Sequence, residues 1–448
     1  MQNKQLVIVF LPLLFIILLL FFNINHWLFY FKNELLTASY YLSQIRNFNN
    51  NQTVTEVATA SAKIKLLFTG DLMLDRGVAK SVANKFDNNF SLLFENIKDY
   101  LKSFDFIIVN LEGPISNRGN RIGSKYSFRM DPKVIKQLSD VNIKVFNLAN
   151  NHIFDYNYQA FHDTLKNIKA NNSFYFGADV NIDQASRGLI LEKNGISIGF
   201  LGFTQFLKHF NAQNNKPGIL FLNDDNLKKS IPQLKNKVDF LVVVFHWGEE
   251  YQSYPNNYQR NFARKAIDLG ADLIIGHHPH VVQTIEKYKN KFIFYSLGNF
   301  IFDQSFSKET MKGGLVEVVL EKKNLEDIYY RWSYLNNDYQ IATISDRLLP
   351  YYLINKIFLL KIATTSEDHT RGLMFVRKPV DFEGMLFIFS EKMIRNFWNK
   401  NTFLDLDVYW LDGSKVIAKD FLPALKNNKD IQTITSPLPV DRVIEIIR

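Results

Sequence analysis

The chain has 448 residues, 47% hydrophobic and 15% aromatic, enough apolar material for one large core or two smaller ones, which excludes a disordered chain. Lys and Arg number 53 against 44 acidic residues, a formal charge of +9, yet no run of like charges forms a nucleic-acid arm; the basicity suits an anionic ligand or polymer, an acidic membrane surface, or a solvated face. Cysteine is absent, so disulfide scaffolds, thiolate metal sites and cysteine nucleophiles are excluded, and any metal must rely on nitrogen and oxygen ligands.

Residues 6–22 carry no polar side chain, and the uncharged stretch continues past Trp27 and Tyr30 to Phe31. At about 1.5 Å per residue the core run reaches roughly 26 Å, and the aromatic tail completes a crossing of a ~30 Å hydrocarbon layer. The run exceeds a signal-peptide core and no small-x-small site follows closely, so residues 1–33 are expected to be an uncleaved membrane anchor, with a cleaved signal peptide as the alternative. Lys4 before the run and Lys32, Glu34 and Arg46 after it orient it only weakly. The expectation is a single-pass protein of the cell membrane with its body outside the cytoplasm. Residues 34–62, rich in Asn, Thr and Ala toward their end, are read as a spacer.

From residue 64 short apolar runs each end in a polar cluster, with helical-period segments between them, the pattern of alternating α and β units. Ile64 to Thr69 leads into Gly70-Asp71, Phe106 to Val109 into Asn110-Leu111-Glu112, and Val145 to Ala149 into Asn150-Asn151-His152. Phe240 to Phe245 leads into His246-Trp247-Gly248, Leu273 to Ile275 into Gly276-His277-His278-Pro279-His280, and Phe292 to Tyr295 into Ser296-Leu297-Gly298-Asn299. Near-continuous apolar runs indicate strands buried on both faces. Asp131 and Pro132 open one linking helix, with Val134, Ile135 and Leu138 on a face, and another, Tyr258 to Leu269, stops at Gly270.

Ligands of open α/β sheets bind beyond the carboxyl ends of strands, so Asp71, Glu112, Asn151, His152, His246, His278 and His280 should converge, with Arg76, Arg129 and Asp155 nearby. Carboxylates, an amide oxygen and imidazoles are ligands for divalent ions such as Zn, Mn or Fe. Five of the nine histidines lie in these clusters. A lone strand-end histidine is more often a hydrogen-bonded core residue, but several clusters in register favour a metal site. His278 and His280, two apart in an extended segment, are expected to point the same way.

The series Gly70-Asp71-Leu72-Met73-Leu74-Asp75-Arg76, Asn110-Leu111-Glu112-Gly113-Pro114, Asn150-Asn151-His152-Ile153-Phe154-Asp155, His246-Trp247-Gly248-Glu249-Glu250-Tyr251, Gly276-His277-His278-Pro279-His280-Val281 and Ser296-Leu297-Gly298-Asn299-Phe300 resembles the capsule poly-γ-glutamate synthesis protein family of CapA/PgsA type. The resemblance covers roughly residues 64 to 304 and stops before 336. It implies a calcineurin-like metallophosphatase fold, a four-layer α-β-β-α sandwich, and a membrane-anchored role in making or exporting an anionic polymer such as poly-γ-glutamate, alongside membrane synthase subunits. It further implies Asp71, Glu112, Asn151, His246, His278 and His280 as ligands of one or two divalent ions (Mn, Fe or Zn), with Asp71 and Glu112 at the reacting centre and His152 as general acid. Met73 departs from the wider phosphatase pattern, which places a histidine ligand there, and Asn157 stands where the capsule family usually has glycine. Arg76 and Arg129 are candidates for holding a substrate anion or are surface salt-bridge partners. Trp247, Tyr251 and Phe300 are expected to pack rather than to form a substrate platform.

Residues 63–335 thus form one expected domain and 336–448 an extension. Gly314 to Leu320 and Ile328 to Tyr334 are expected to pair and close the second sheet; Pro350 to Lys361 and Leu386 to Trp398 read as helices, and Val408 to Leu411 before Asp412-Gly413 as a strand entering a hairpin. A helical cap is expected for the extension, with a module contacting a membrane partner as the alternative. Two function classes follow: a metal-dependent hydrolase acting on a phosphoester or an amide in an anionic polymer, or a non-catalytic polymer-binding scaffold. No nucleic-acid partner is expected.

Overall fold

The computed structural model describes residues 63–122, 125–425 and 431–448. The expected anchor and spacer lie outside the described residues, and among the described residues no helix is long and apolar enough to cross a membrane.

Each apolar run singled out above is a strand. The first sheet runs in the order Ile341–Ile344, Asn324–Leu335, Lys312–Glu321, Ile64–Leu72, Phe106–Leu111, Val145–Asn147 and Phe174–Phe176, with Asn299–Ile301 paired in parallel against the end of Ile64–Leu72. The second runs Ile285–Tyr288, Lys291–Phe294, Leu273–His277, Phe240–His246, Ile196–Thr204 and Leu189–Lys193. In both, the strands that end in polar clusters lie parallel to one another. The strands Lys312–Glu321 and Asn324–Leu335 pair with each other as expected, but they extend the first sheet rather than close the second. The reason is local: the chain enters them from Asn299–Ile301, already seated beside Ile64–Leu72, and so reaches that strand's open edge.

Alternation along these strands builds the layers. Leu66, Phe68, Ile108 and Val145 of the first sheet meet Phe200, Val242, Val244 and Ile275 of the second in one apolar cluster. Leu67, Ile107, Val109 and Phe146 face the other way, onto Val78, Val82, Leu138 and Phe161 of the helices Arg76–Lys85, Lys133–Asp140 and Asn157–Ala170. On the far side, Leu201, Val243 and Ile274 pack on Leu227, Ile231, Ala263 and Ile267 of Asp224–Lys235 and Asn257–Asp268. Both faces of each sheet are covered, which is why the strands read as continuous apolar runs. The helix Lys133–Asp140 buries Val134, Ile135 and Leu138, and Asp131 Oδ1 accepts from Lys133 N at 2.9 Å. Asn257–Asp268 opens with a reciprocal cap between Asn256 and Gln259 and is followed by Gly270 at φ +117°.

The extension is not a helical cap. It forms a third sheet in the order Leu349–Leu353, Lys356–Ala363, Gly384–Met393, Val440–Ile447, Leu406–Asp412 and Lys415–Leu422. The expected helix over 350–361 is a hairpin: Leu353 pairs with Lys356, leaving Ile354 and Asn355 as a two-residue turn with both φ positive, the primed-turn geometry that suits antiparallel strands. The expected helix over 386–398 is the strand Gly384–Met393 followed by Asn396–Trp398. The hairpin at Asp412-Gly413 forms as read, joining Leu406–Asp412 to Lys415–Leu422. Two apolar clusters cover the two faces of this sheet, Val408, Trp410 and Val443 on one and Tyr409, Leu411 and Ile444 on the other.

One carboxyl shares the first of these faces. Glu445 is 4% exposed, its Oε2 has no hydrogen-bond partner, and burial pushes it up to about 8. The folded chain therefore holds a proton that the unfolded chain releases near the ordinary value of 4.5, so the contribution of Glu445 to stability falls as pH rises from about 4.5 to about 8 and is flat above that. Glu445→Gln is expected to stabilise the protein more at pH 8 than at pH 5 in urea unfolding. Gly276 tests the first fold in the same way: a Cβ there would come within 1.9 Å of Tyr295 O and 2.7 Å of Trp247 Nε1, atoms that are hydrogen-bonded to each other. Gly276→Ala should cost about 1–3 kcal/mol or more by urea unfolding.

Candidate metal centre

Strand register brings the polar clusters together. Asp71 lies opposite Asn110 and Asn299 in the first sheet, Asn110 opposite Asn147, and His246 opposite His277 in the second. Because the two sheets stack face to face, these strand ends meet. Asn110 Nδ2 is the junction: it lies 2.8 Å from Asp71 Oδ1, 3.3 Å from Glu112 Oε1 and 3.2 Å from His246 Nδ1, while its own oxygen accepts from Asn147 Nδ2 at 2.9 Å. His246 Nε2 is 2.7 Å from Asn151 Oδ1 and 3.8 Å from Glu112 Oε1. His277 Nδ1 lies 3.2 Å from Asp71 Oδ1, His280 Nδ1 lies 3.3 Å from Asp71 Oδ2, and the His278 backbone N–H donates to Asp71 Oδ2 at 3.2 Å.

Two groups of candidate ligands result, Asp71 with Glu112 and His246, and Glu250 with His278 and His280; within each, one donor atom per residue lies within 4.8 Å of the others. Asp71, Glu112 and His246 are fully buried, yet Glu112 Oε2 and His278 Nδ1 have no hydrogen-bond partner. Unpaired buried polar atoms of this kind are costly without a ligand, and oxygen and imidazole donors suit a divalent cation.

The electrostatics reflect that crowding. Burial raises Glu112, the charge of Asp71 raises it further, and the carboxyl stands well above its ordinary range. Burial also works to raise Asp71, but the hydrogen bonds and charges of His277 and His280 outweigh it and hold Asp71 well below the usual range. Burial, then the charge of His278, lowers His246 strongly; burial, then His280, lowers His278 to about 3. Buried neutral imidazoles are the form that ligates a metal.

All six expected ligands converge. His278 and His280 do so for a different reason from the one the sequence offered: they lie past the end of Leu273–His277 with φ +96° and +56°, in a left-handed loop rather than an extended segment. His152 Nδ1 pairs with Asp155 Oδ2 at 2.8 Å, and its ring packs on Phe128 at 4.1 Å. Arg76 is engaged bidentately by Asp303 and lies over Phe128. Arg129 lies over Tyr156 at 4.2 Å and donates to the carbonyls of Arg118 and Gly119; among the described residues no carboxylate pairs with it. Met73 is fully buried in the apolar cluster outside the first sheet, and its Sδ accepts from Asp75 N at 3.1 Å. Asn157 sits at φ +65°, a conformation that asparagine tolerates better than most residues and that glycine adopts freely. Trp247 and Phe300 are fully buried, and Tyr251 is a half-exposed rim residue 6.3 Å from His280.

Sequence reasoning passed over Asn110, Asn147, His277, Glu250 and Asn299, whose Oδ1 lies 2.9 Å from His280 Nδ1. All but Asn147 stand inside the motifs quoted above; their position was visible, but not that Asn110, Asn147, His277 and Asn299 orient the other side chains or that Glu250 joins a group of candidate ligands.

The sequence model of the family described as "Bacterial capsule synthesis protein PGA_cap" matches residues 65–304, more than half of the chain, and the chain belongs to that family. It is 37% identical over 259 residues to the PGA biosynthesis protein CapA of Bacillus subtilis, covering 57% of this chain and 67% of the relative. It is 35% identical over 264 residues to the capsule biosynthesis protein CapA of Bacillus anthracis, covering 57% of this chain and 63% of the relative. The chain thus spans about two thirds of the length of these relatives. A solved structure of a novel phosphatase from Mycoplasma pneumoniae aligns with 64% of this chain and 92% of its own, at 14% identity and a TM-score of 0.36. Residues 354–448, for which the sequence offered no resemblance, match a second family model, DUF192, described as uncharacterized.

Glu112 carries a prediction. With chelator present, Glu112→Gln removes one of two adjacent buried acids and should leave the thermal midpoint equal to or above that of the wild type, since nothing but a cation compensates that oxygen. A fall of several degrees would mean that Glu112 serves the fold.

Proposed function

We propose that this chain acts in the assembly or export of an anionic capsule polymer of the poly-γ-glutamate type, as a membrane-anchored protein whose body lies outside the cytoplasm and works beside membrane synthase subunits. Its layered body is read as a metallo-dependent phosphatase-type sandwich, and its buried centre as a hydrolytic site for a phosphoester or an amide. One observation carries the reading: two buried carboxylates and several buried imidazoles converge from five strand ends, with Glu112 Oε2 unpartnered. A scaffold that only binds polymer at its surface has no need to bury such a set.

Asp71, Glu112, Asn151 and His246 would hold one divalent cation (Mn, Fe or Zn), and Glu250, His278 and His280 a second. When bound, such a cation supplies Lewis acidity toward an ester or amide oxygen and makes water nucleophilic near neutral pH. The chain's own residues do the rest. Asn110 and Asn147 hold the carboxylates and His246 in place. His152, fixed through Nδ1 by Asp155, presents Nε2 to protonate the leaving atom. Arg129, which has no carboxylate partner among the described residues, is the better placed of the two arginines to take a substrate anion, because Asp303 already neutralises Arg76. The second reading, a non-catalytic polymer-binding subunit, is favoured by Met73, which supplies no ligand where the wider pattern has one.

Elemental analysis of the chain purified without chelator is expected to give near-stoichiometric Mn, Fe or Zn, lost in Asp71→Ala. His152→Ala should keep the metal and lose hydrolysis of phosphoester and γ-glutamyl amide probes by about 10²–10⁴-fold. A folded, metal-free wild type, or normal polymer from cells carrying either variant, would leave the scaffold reading in place.

A further inference from the structure

Glu250 reaches the second group of candidate ligands from an exposed loop, and the contacts of that loop show what holds it there. Tyr251 N donates to Pro279 O at 2.8 Å and Gln283 Nε2 to Gln252 O at 2.9 Å, so the loop is tied to the segment that carries His278 and His280.

The side chains close the connection. Asn299 Nδ2 donates to two oxygens, Gln304 Oε1 at 3.1 Å and Thr310 O at 2.9 Å, which leaves its Oδ1 to face His280 Nδ1 at 2.9 Å. His280 Nδ1 also faces Asp71 Oδ2 at 3.3 Å; both neighbours are acceptors, so the ring carries its proton there and keeps the Nε2 lone pair for a cation. Gln304, with Oε1 occupied, donates from Nε2 to Tyr251 Oη at 3.1 Å. The Tyr251 hydroxyl is left to donate to Glu250; burial, then the charge of Glu250 and that bond, push Tyr251 up to about 12.

Every hydrogen in this chain points one way, from His280 through Asn299, Gln304 and Tyr251 to Glu250, and bonds aligned head to tail polarise one another. Both ends belong to one group of candidate ligands. An imidazole ligated through Nε2 is a stronger donor at Nδ1, and a carboxylate that accepts a hydroxyl on one oxygen keeps the other for the cation. Gln304 is only partly buried and could turn its amide to water, so burial does not force these two directed bonds. We infer that Asn299, Gln304 and Tyr251 are positioning residues for a second cation, with Gln304 the link that ties His280 to Glu250. The inference rests on the reading of the centre as one that holds metal.

Calorimetric titration of the chelator-treated full chain with Mn²⁺ tests it. The wild type should take up two ions, and Glu250→Gln marks the step that belongs to the second group by weakening it. Gln304→Leu, and the near-isosteric Gln304→Glu, whose carboxylate cannot donate to Tyr251, should weaken that step about 10–100-fold. The other step, and the thermal midpoint in chelator, should not move. Tyr251→Phe should weaken the same step, and Tyr251→Phe combined with Gln304→Leu should weaken it no more than the stronger single change, because both interrupt one chain. Gln304 variants that bind both ions as the wild type does, equal weakening of the two steps, additive losses in the double variant, or a lowered midpoint in chelator for both Gln304 variants would overturn the inference and leave the metal reading standing. A wild type that takes up one ion or none would also overturn it, and uptake of none would remove the metal reading with it.

Discussion

The folded body is organised around two carboxylates that water does not reach. Asp71 and Glu112 end neighbouring parallel strands, are fully buried, and share one amide donor, Asn110. Two acids in so small a space cannot both ionise without compensation. The neighbourhood resolves this unevenly: imidazoles at 3.2 and 3.3 Å keep Asp71 ionised, and Glu112, farther from them, is driven toward its neutral form. Much of the surrounding architecture follows from that constraint. The two sheets must stack so that His246 and the His277–His280 loop reach across, and the left-handed φ values of His278 and His280 turn that loop back over Asp71.

That arrangement was largely readable because strand ends are physically distinctive. A strand covered on both faces must be apolar along its length, so the first polar residue marks where the chain leaves the sheet, and in a parallel sheet those exits align. Asp71, Glu112, Asn151, His246, His278 and His280 were found in this way. Asn147 was harder because it sits inside the run Val145 to Ala149, where a polar side chain reads as part of the strand, and Asn110 and His277, though inside the clusters, carried no sign of their partners. Their function lies in which neighbour they touch, and that depends on register between strands of different sheets, which no local pattern carries. The pairing of Lys312–Glu321 with Ile64–Leu72 failed for the same reason, since it is set by the path through Asn299–Ile301.

The third sheet was misread at a different level. Between 350 and 361 apolar residues fall at spacings that suit one face of a helix and equally suit two short strands, and only the positive φ of Ile354 and Asn355 decides between them. Neither residue is glycine, so the turn carries no strong signature. The connection to the first fold is both apolar and polar: Ile357 and Leu359 join the cluster that holds Phe294, Tyr330 and Leu348, Trp332 Nε1 donates to Asp381 O at 2.6 Å, and Lys312 pairs with Asp381 at 3.2 Å. Each face of the third sheet also has its own apolar cluster.

The two modules treat a buried acid in opposite ways. In the capsule-type body, the acids lie among imidazoles and amides, and His277 and His280 hold Asp71 ionised while burial raises Glu112. In the third-sheet module, a lone acid lies in an apolar cluster, and burial alone keeps it protonated. A protonated carboxyl donates a hydrogen bond and an ionised one only accepts, so the same residue type presents opposite hydrogen-bonding capacity at Glu445 and at Asp71. Charge type cannot distinguish the two sites. The polarity of the neighbours does, and it sets which form of the carboxyl each place keeps.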